Sequence, residues 1–97
     1  MIEAYLTAET KLELLRGIHW FDDISSGLGD QFELEFFAAL ERVKSEPEHF
    51  APDHTGFRPC PLKRFTAVLY FRLEAKTVVV VGLFTSGEDE NVLQYRG

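Results

Sequence analysis

The sequence predicts an α+β fold in which an N-terminal helix hairpin packs on a small, mainly antiparallel β-sheet. Three observations predict it. Between Leu28 and Val43 the apolar residues recur at helical spacing. Between Arg64 and Arg72 they alternate with a period of two. Only a few residues around Ser25-Ser26-Gly27 part the first helical stretch from the second, so the two helices should run antiparallel.

Residues 2–6 form a short apolar segment suited to an edge strand. Thr7 is placed to cap a helix beginning at Ala8, with Glu9 favourably set in its first turn. Ala8, Leu12, Leu15 and Ile18 mark the expected buried face of that helix, which should run to about Asp23. Either Ser25 or Ser26 can cap the next helix. There Leu28, Phe32, Phe36, Ala39, Leu40 and Val43 form one stripe, with Glu33, Glu35, Glu41 and Lys44 outside it. Pro47 stops the helix, because the residue before a proline is pushed out of helical geometry.

Residues 48–56 read as a loop. Phe57 to Leu62 can be extended, but Pro59 and Pro61 lack ladder donors and confine it to a sheet edge. In the strand from Arg64 to Arg72, Phe65, Ala67, Leu69 and Phe71 should face the helices. Leu73-Glu74-Ala75-Lys76 is the expected hairpin turn. Thr77 to Phe84 is apolar on both faces, with Val78, Val80 and Phe84 on one side and Val79, Val81 and Leu83 on the other. Two helices cover only one side of such a sheet. The second side is expected to be covered by the C-terminal tail, through Val92, Leu93 and Tyr95, or by a partner chain.

The 97 residues fit one domain. The hairpin should span about 7–46, the sheet about 57–85 and the tail 86–97. No stretch is long and apolar enough for a membrane helix, and the N-terminus lacks the pattern of a signal peptide. The single cysteine, Cys60, has no internal disulfide partner, so a cytoplasmic location is expected. The net charge of −6 argues against strong direct binding to nucleic acid. Charge is unevenly distributed, however. From Thr55 to Arg72 there are four bases, Arg58, Lys63, Arg64 and Arg72, and no acid. An anionic partner should meet this segment.

His49, Asp53 and His54 have weak spacing for a metal site, and neither a metal nor another cofactor is expected. Cys60 lies between prolines with no adjacent base to activate it, and reads as a structural thiol. Gly27 and Gly29 lack the Lys-Ser/Thr pair of a phosphate loop.

Several local motifs, in order, resemble those of the RelE/ParE toxins of bacterial type II toxin–antitoxin pairs, the plasmid-stabilisation proteins. They are His19-Trp20-Phe21, Gly27-Leu28-Gly29-Asp30-Gln31-Phe32, the helix ending Glu41 to Pro47, Gly56-Phe57-Arg58, Lys63-Arg64-Phe65, Leu69-Tyr70-Phe71-Arg72 and Val80 to Asp89. The similarity spans about residues 5–90. There are departures. Thr66 stands in place of a proline, Thr85 where many members have His, Glu88 where Arg is usual, and Glu90 in place of the next proline, while Asp89 is retained.

The resemblance implies a toxin that arrests growth and is neutralised by a cognate antitoxin. One branch cuts messenger RNA on the ribosome; the ParE branch inhibits DNA gyrase by protein contact. A glutamate at position 88 would repel the phosphate that an arginine stabilises, so the ParE-like, non-enzymatic branch is the expected one. A divergent mRNA endoribonuclease and a degenerate, non-toxic binding module are the alternatives. For the first, the candidate catalytic residues are Arg58, Lys63, Arg64 and Tyr70. The expected partner-binding residues are Arg58, Arg64, Arg72, Val78, Val80 and Phe84, with gyrase, the ribosome and a second copy of the chain as further partners.

Overall fold

A computed structural model describes residues 2–85, 88 and 90–96. Strand β1 (Glu3–Leu6) leads into helices α1 (Ala8–Ile24) and α2 (Leu28–Ser45). A short 3₁₀ turn (Pro47–His49) and a loop follow, then β2 (Arg58–Pro61), β3 (Ala67–Glu74), β4 (Thr77–Thr85) and a second 3₁₀ segment (Glu90–Tyr95). The sheet order is β1-β4-β3-β2, with β1 parallel to β4 and the other pairs antiparallel. The hairpin lies on one face of this sheet, so the predicted α+β class and architecture hold. Among the described residues, no helix is long and apolar enough to cross a membrane.

Thr7 caps α1 as expected: its side chain accepts a hydrogen bond from the Thr10 amide at 3.2 Å. The buried face of α1 differs from the expected one. Leu12 and Leu15 are exposed, and Thr10, Leu14 and Gly17 are buried instead. Two close contacts explain the rotation. The Thr10 hydroxyl donates to the Val80 carbonyl at 2.9 Å, which fastens α1 to β4. At Gly17 the helices approach so closely that a Cβ would lie 2.5 Å from the Phe32 ring. Helix packing here selects small residues rather than the greasiest stripe.

On α2 the predicted stripe is buried except at its first member: Phe32, Phe36, Ala39, Leu40 and Val43 are buried, while Leu28 is half-buried and lines a groove. Its N-terminus is capped by neither serine. Asp22 on α1 accepts from the Gly29 amide at 2.7 Å, so the first helix satisfies an orphan donor of the second.

The strand from Arg64 starts later than predicted, at Ala67, because Arg64 adopts a left-handed φ of 68° that breaks extension. Ala67, Leu69 and Phe71 do face the helices. The β3–β4 turn lies within the predicted tetrapeptide, with Ala75 at φ 52°. As expected, β2 is an edge strand.

The facing pattern of β4 needs a correction. Tyr70 pairs with Gly82 but Phe71 pairs with Val80, so Val81 is an extra residue in β4. This bulge reverses the alternation. Leu83 therefore joins Val78 and Val80 on the helix side, while Phe84 joins Val79 and Val81 on the other. Gly82 at the bulge has no room for a side chain, since a Cβ would lie 2.7 Å from Phe84 and 3.0 Å from Leu93.

Both sheet faces are covered. Val78 and Val80 are completely buried in the helix-side core, and on the opposite face Leu93 closes over Tyr70, Val79, Val81 and Phe84. Of the two expected covers for the second face, the chain's own tail is the observed one.

Candidate docking groove

On α1, Arg16, Trp20 and Ile24 follow one another at helical i, i+4 spacing and line one flank of the helix. That flank looks across to Thr66, Thr85 and Glu88, near the start of β3 and the end of β4. Between them runs a groove of about 600 Å³, with Gly17, Phe21 and Leu28 among its lining residues and Glu13 at its border. Trp20 is 58% exposed and Ile24 59%, values far above those of the core aromatics and aliphatics.

The groove walls are held by two devices. The first is an aromatic cluster: Phe65 packs edge-on against Phe21 and Phe32 with centroids 4.9 and 5.4 Å apart, which fixes the β2–β3 loop onto the hairpin. The second is a pair of carboxylates, one from α1 and one from beyond β4, that bind the edge of β4. Strand β1 pairs with β4 only as far as Val80, so the later part of that edge has no strand neighbour. Glu13 accepts from the Leu83 amide at 3.1 Å and is ion-paired to Arg96 at 3.0 Å. Glu88 accepts from the Thr85 amide and hydroxyl, each at 2.7 Å. Side-chain carboxylates thus occupy donors that would otherwise invite another strand. Asp89, singled out in the sequence, lies outside the described residues.

The sequence-derived candidates do not converge. Arg58 stands opposite Phe71 on the helix side of the sheet, and its guanidinium donates to the Phe50 carbonyl at 2.9 Å. Tyr70 lies on the other face, buried, with its hydroxyl donating to Glu90 at 3.0 Å. Burial, with the Glu90 hydrogen bond and the nearby Asp53 charge, pushes the Tyr70 hydroxyl well above its ordinary range, which makes it a poor proton donor at neutral pH. Arg72 is turned to Glu74 at 2.6 Å. Lys63 and Arg64 lie in the β2–β3 loop, exposed, with Arg64 4.0 Å from Glu35. No phosphate-sized site is shared by Arg58, Lys63, Arg64 and Tyr70. Among the expected partner contacts, Val78 and Val80 are core residues and Phe84 is buried beneath the tail, so none of the three forms an open surface.

Cys60 is buried, and burial raises its thiol above the usual range despite the opposing charge of Arg42. That suits a structural thiol. His54 lies 3.0 Å from Glu90 and 4.0 Å from Asp53, near Tyr70. This small polar cluster links the 48–56 loop to the tail.

Sequence reading missed Asp22, Glu13 and Arg16. Asp22 and Glu13 act on backbone amides of other elements, a role with no local sequence signature. Arg16 gains meaning only when α1, the β2–β3 loop and the end of β4 are brought together.

No protein-family model matches the sequence, and no curated protein is similar enough to count as a relative. Among solved structures, a chain of the chromosomal ParDE TA system from P. aeruginosa superposes with a TM-score of 0.72 at 12% identity, over 88% of this chain and 96% of that one. At this identity the match establishes a shared fold. The chain has a RelE/ParE-like fold, as the order of its motifs implied.

Proposed function

We propose that this chain is the toxin of a type II toxin–antitoxin pair, that it acts by protein contact in the manner of the gyrase-directed ParE branch, and that an antitoxin neutralises it. The observation that carries this reading is the near end-to-end match of its fold to a chain of a ParDE TA system. The position of the basic residues supports protein contact over RNA cleavage: Arg58 and Tyr70 lie on opposite faces of the sheet, so they do not cradle one phosphate. In this reading the protein works in the cytoplasm and helps to stabilise the replicon that encodes it.

The sealing of both sheet faces moves the expected antitoxin contact away from Val78 and Val80. What remains for a partner is the periphery: exposed Arg64, half-buried Arg72 and the groove along α1.

Induced expression of the chain alone in a bacterial host tests the reading. Growth should stop, and co-expression of the product of the adjoining reading frame should restore it. Unaffected growth at high expression would reject the toxin assignment.

A further inference from the structure

The outer face of the helix hairpin, turned away from the sheet, is apolar at its centre. Leu12 lies two positions from buried Thr10 and from buried Leu14, and Leu34 two positions from buried Phe32 and from buried Phe36, so both point away from the core. Leu15 and Phe37 stand about one turn further along each helix. All four are exposed, Leu34 at 70%. The close approach of Gly17 to Phe32 and the hydrogen bond from the Gly29 amide to Asp22 fix the register of the antiparallel helices. Leu15 is therefore level with Leu34, and Leu12 with Phe37. The four side chains form one patch across the hairpin.

Residues four apart form the ridges by which one helix packs on another. On α1 the ridges through this patch read Ala8-Leu12-Arg16 and Lys11-Leu15-His19; on α2 they read Asp30-Leu34-Ala38 and Glu33-Phe37-Glu41. Each ridge has an apolar centre. Its ends are basic side chains or alanine on α1, and acidic side chains or alanine on α2. Glu41 has Lys44 beside it at 3.3 Å, an exposed pair of small strength. The face is thus complementary to itself.

We propose that the outer face of the hairpin binds a second copy of the chain, forming a two-fold dimer held by a four-helix bundle. A two-fold axis running between the helices and along them sets α1 of one copy on α2 of the other. Leu12 and Leu15 then meet the partner's Phe37 and the partner's Leu34. Lys11 comes within a turn of the partner's Glu41, and His19 is level with the partner's Asp30. A two-fold axis across the helices would instead stack α2 on α2 and set acid against acid, so charge selects the first arrangement. Helices of 17 and 18 residues side by side present a face about 26 Å long and about 20 Å wide. Its outline, about 500 Å², lies at the small end of specific interfaces and fits a Kd of roughly 1–100 μM. The dimer goes beyond the toxin reading and does not depend on it.

Sedimentation equilibrium of the intact chain in physiological salt tests this. The parent protein should show a reversible equilibrium between monomer and dimer. Leu34→Asp should raise its Kd at least about tenfold, and Leu15→Asp, on the other helix, should do the same. Both positions are exposed, so circular dichroism should show an unchanged fold. Lys11→Glu should weaken the dimer by about threefold or more, and adding Glu41→Lys should recover it. Glu48→Lys, in the 3₁₀ turn outside the face, returns the same net charge and should bring no recovery.

A protein that stays monomeric at about 1 mM would overturn the proposal, as would a dimer unchanged by Leu34→Asp and Leu15→Asp. Equal recovery by Glu48→Lys and Glu41→Lys would overturn the pairing of α1 with α2. A dimer broken by Ile24→Asp but not by Leu34→Asp would place the contact in the groove along α1 and overturn the hairpin face.

Discussion

Glu13 and Arg96, 83 positions apart in the chain, form an ion pair 3.0 Å long that ties the first helix to the tail. The same carboxylate accepts from the Leu83 amide, and the same guanidinium donates to the Val81 carbonyl at 3.1 Å and lies 5.4 Å from the centre of the Phe84 ring. Both side chains are mostly buried, at 11% and 18% exposure, so the pair is weakly screened by solvent. Glu13→Ala leaves a buried cation and an unpaired amide. It should lower the unfolding free energy by about 2 kcal/mol, read from the midpoint of a urea transition. An unchanged midpoint would mean that the pair is not formed in solution.

The tail is a structural part of the fold. Leu93 is completely buried against the outer face of the sheet. Leu93→Ala should cost about 3 kcal/mol through lost burial and the cavity left behind. Amide exchange should rise first along β4, at Val79 and Val81. Equal exchange in the two proteins would show that the tail is not seated there.

The helix pair depends on a missing side chain. With Phe32 so close to Gly17, Gly17→Ala must displace the buried Phe32 ring or the helix that carries it, at a cost of about 1–3 kcal/mol, although alanine is the better helix former. Thermal unfolding should show a lower Tm. A higher one would mean that helix propensity outweighs the contact.

The alkaline limit of stability should be set in part by Tyr70. Its folded-state pKa lies above its ordinary value of 10.0, chiefly through burial. A group with a raised pKa contributes its stability fully below the unfolded value and loses it as pH rises towards the folded one. The protein should therefore lose stability above about pH 10, and Tyr70→Phe should remove that part of the loss. Asp53 acts at the other end. Burial alone would push its carboxyl up, but hydrogen bonds from Thr55, joined by the His54 charge and a Tyr70 hydrogen bond, together outweigh it and hold the carboxyl below its ordinary value, so its contribution is present above that range and fades as acid is added. Urea midpoints measured across the pH range, in the parent protein and in Tyr70→Phe, check both signs.

How much of this was legible in the sequence depended on the kind of contact. The α2 stripe from Phe32 to Val43 could be read because large apolar residues recur there at helical spacing and do the packing, although Leu34 and Phe37 stand exposed outside it. The face of α1 could not, because Thr10 and Gly17 pack through a hydrogen bond and through the absence of atoms, and a search for apolar residues passes over both. On β4 every candidate position is apolar, so alternation could not reveal the bulge at Val81 that exchanges Leu83 and Phe84. The covered second face was anticipated, with Leu93 among the named candidates, but composition alone left the choice between tail and partner open. The groove was the least legible feature. Its walls come from α1, the start of α2, the β2–β3 loop and the end of β4, and no short motif encodes their meeting.

The most direct test of the central claim is a paired assay of the purified chain on DNA gyrase and on a cell-free translation reaction. Protein-contact action predicts that gyrase supercoiling is inhibited while the transcripts stay intact. Transcripts cut in a ribosome-dependent manner, with supercoiling unaffected, would contradict it.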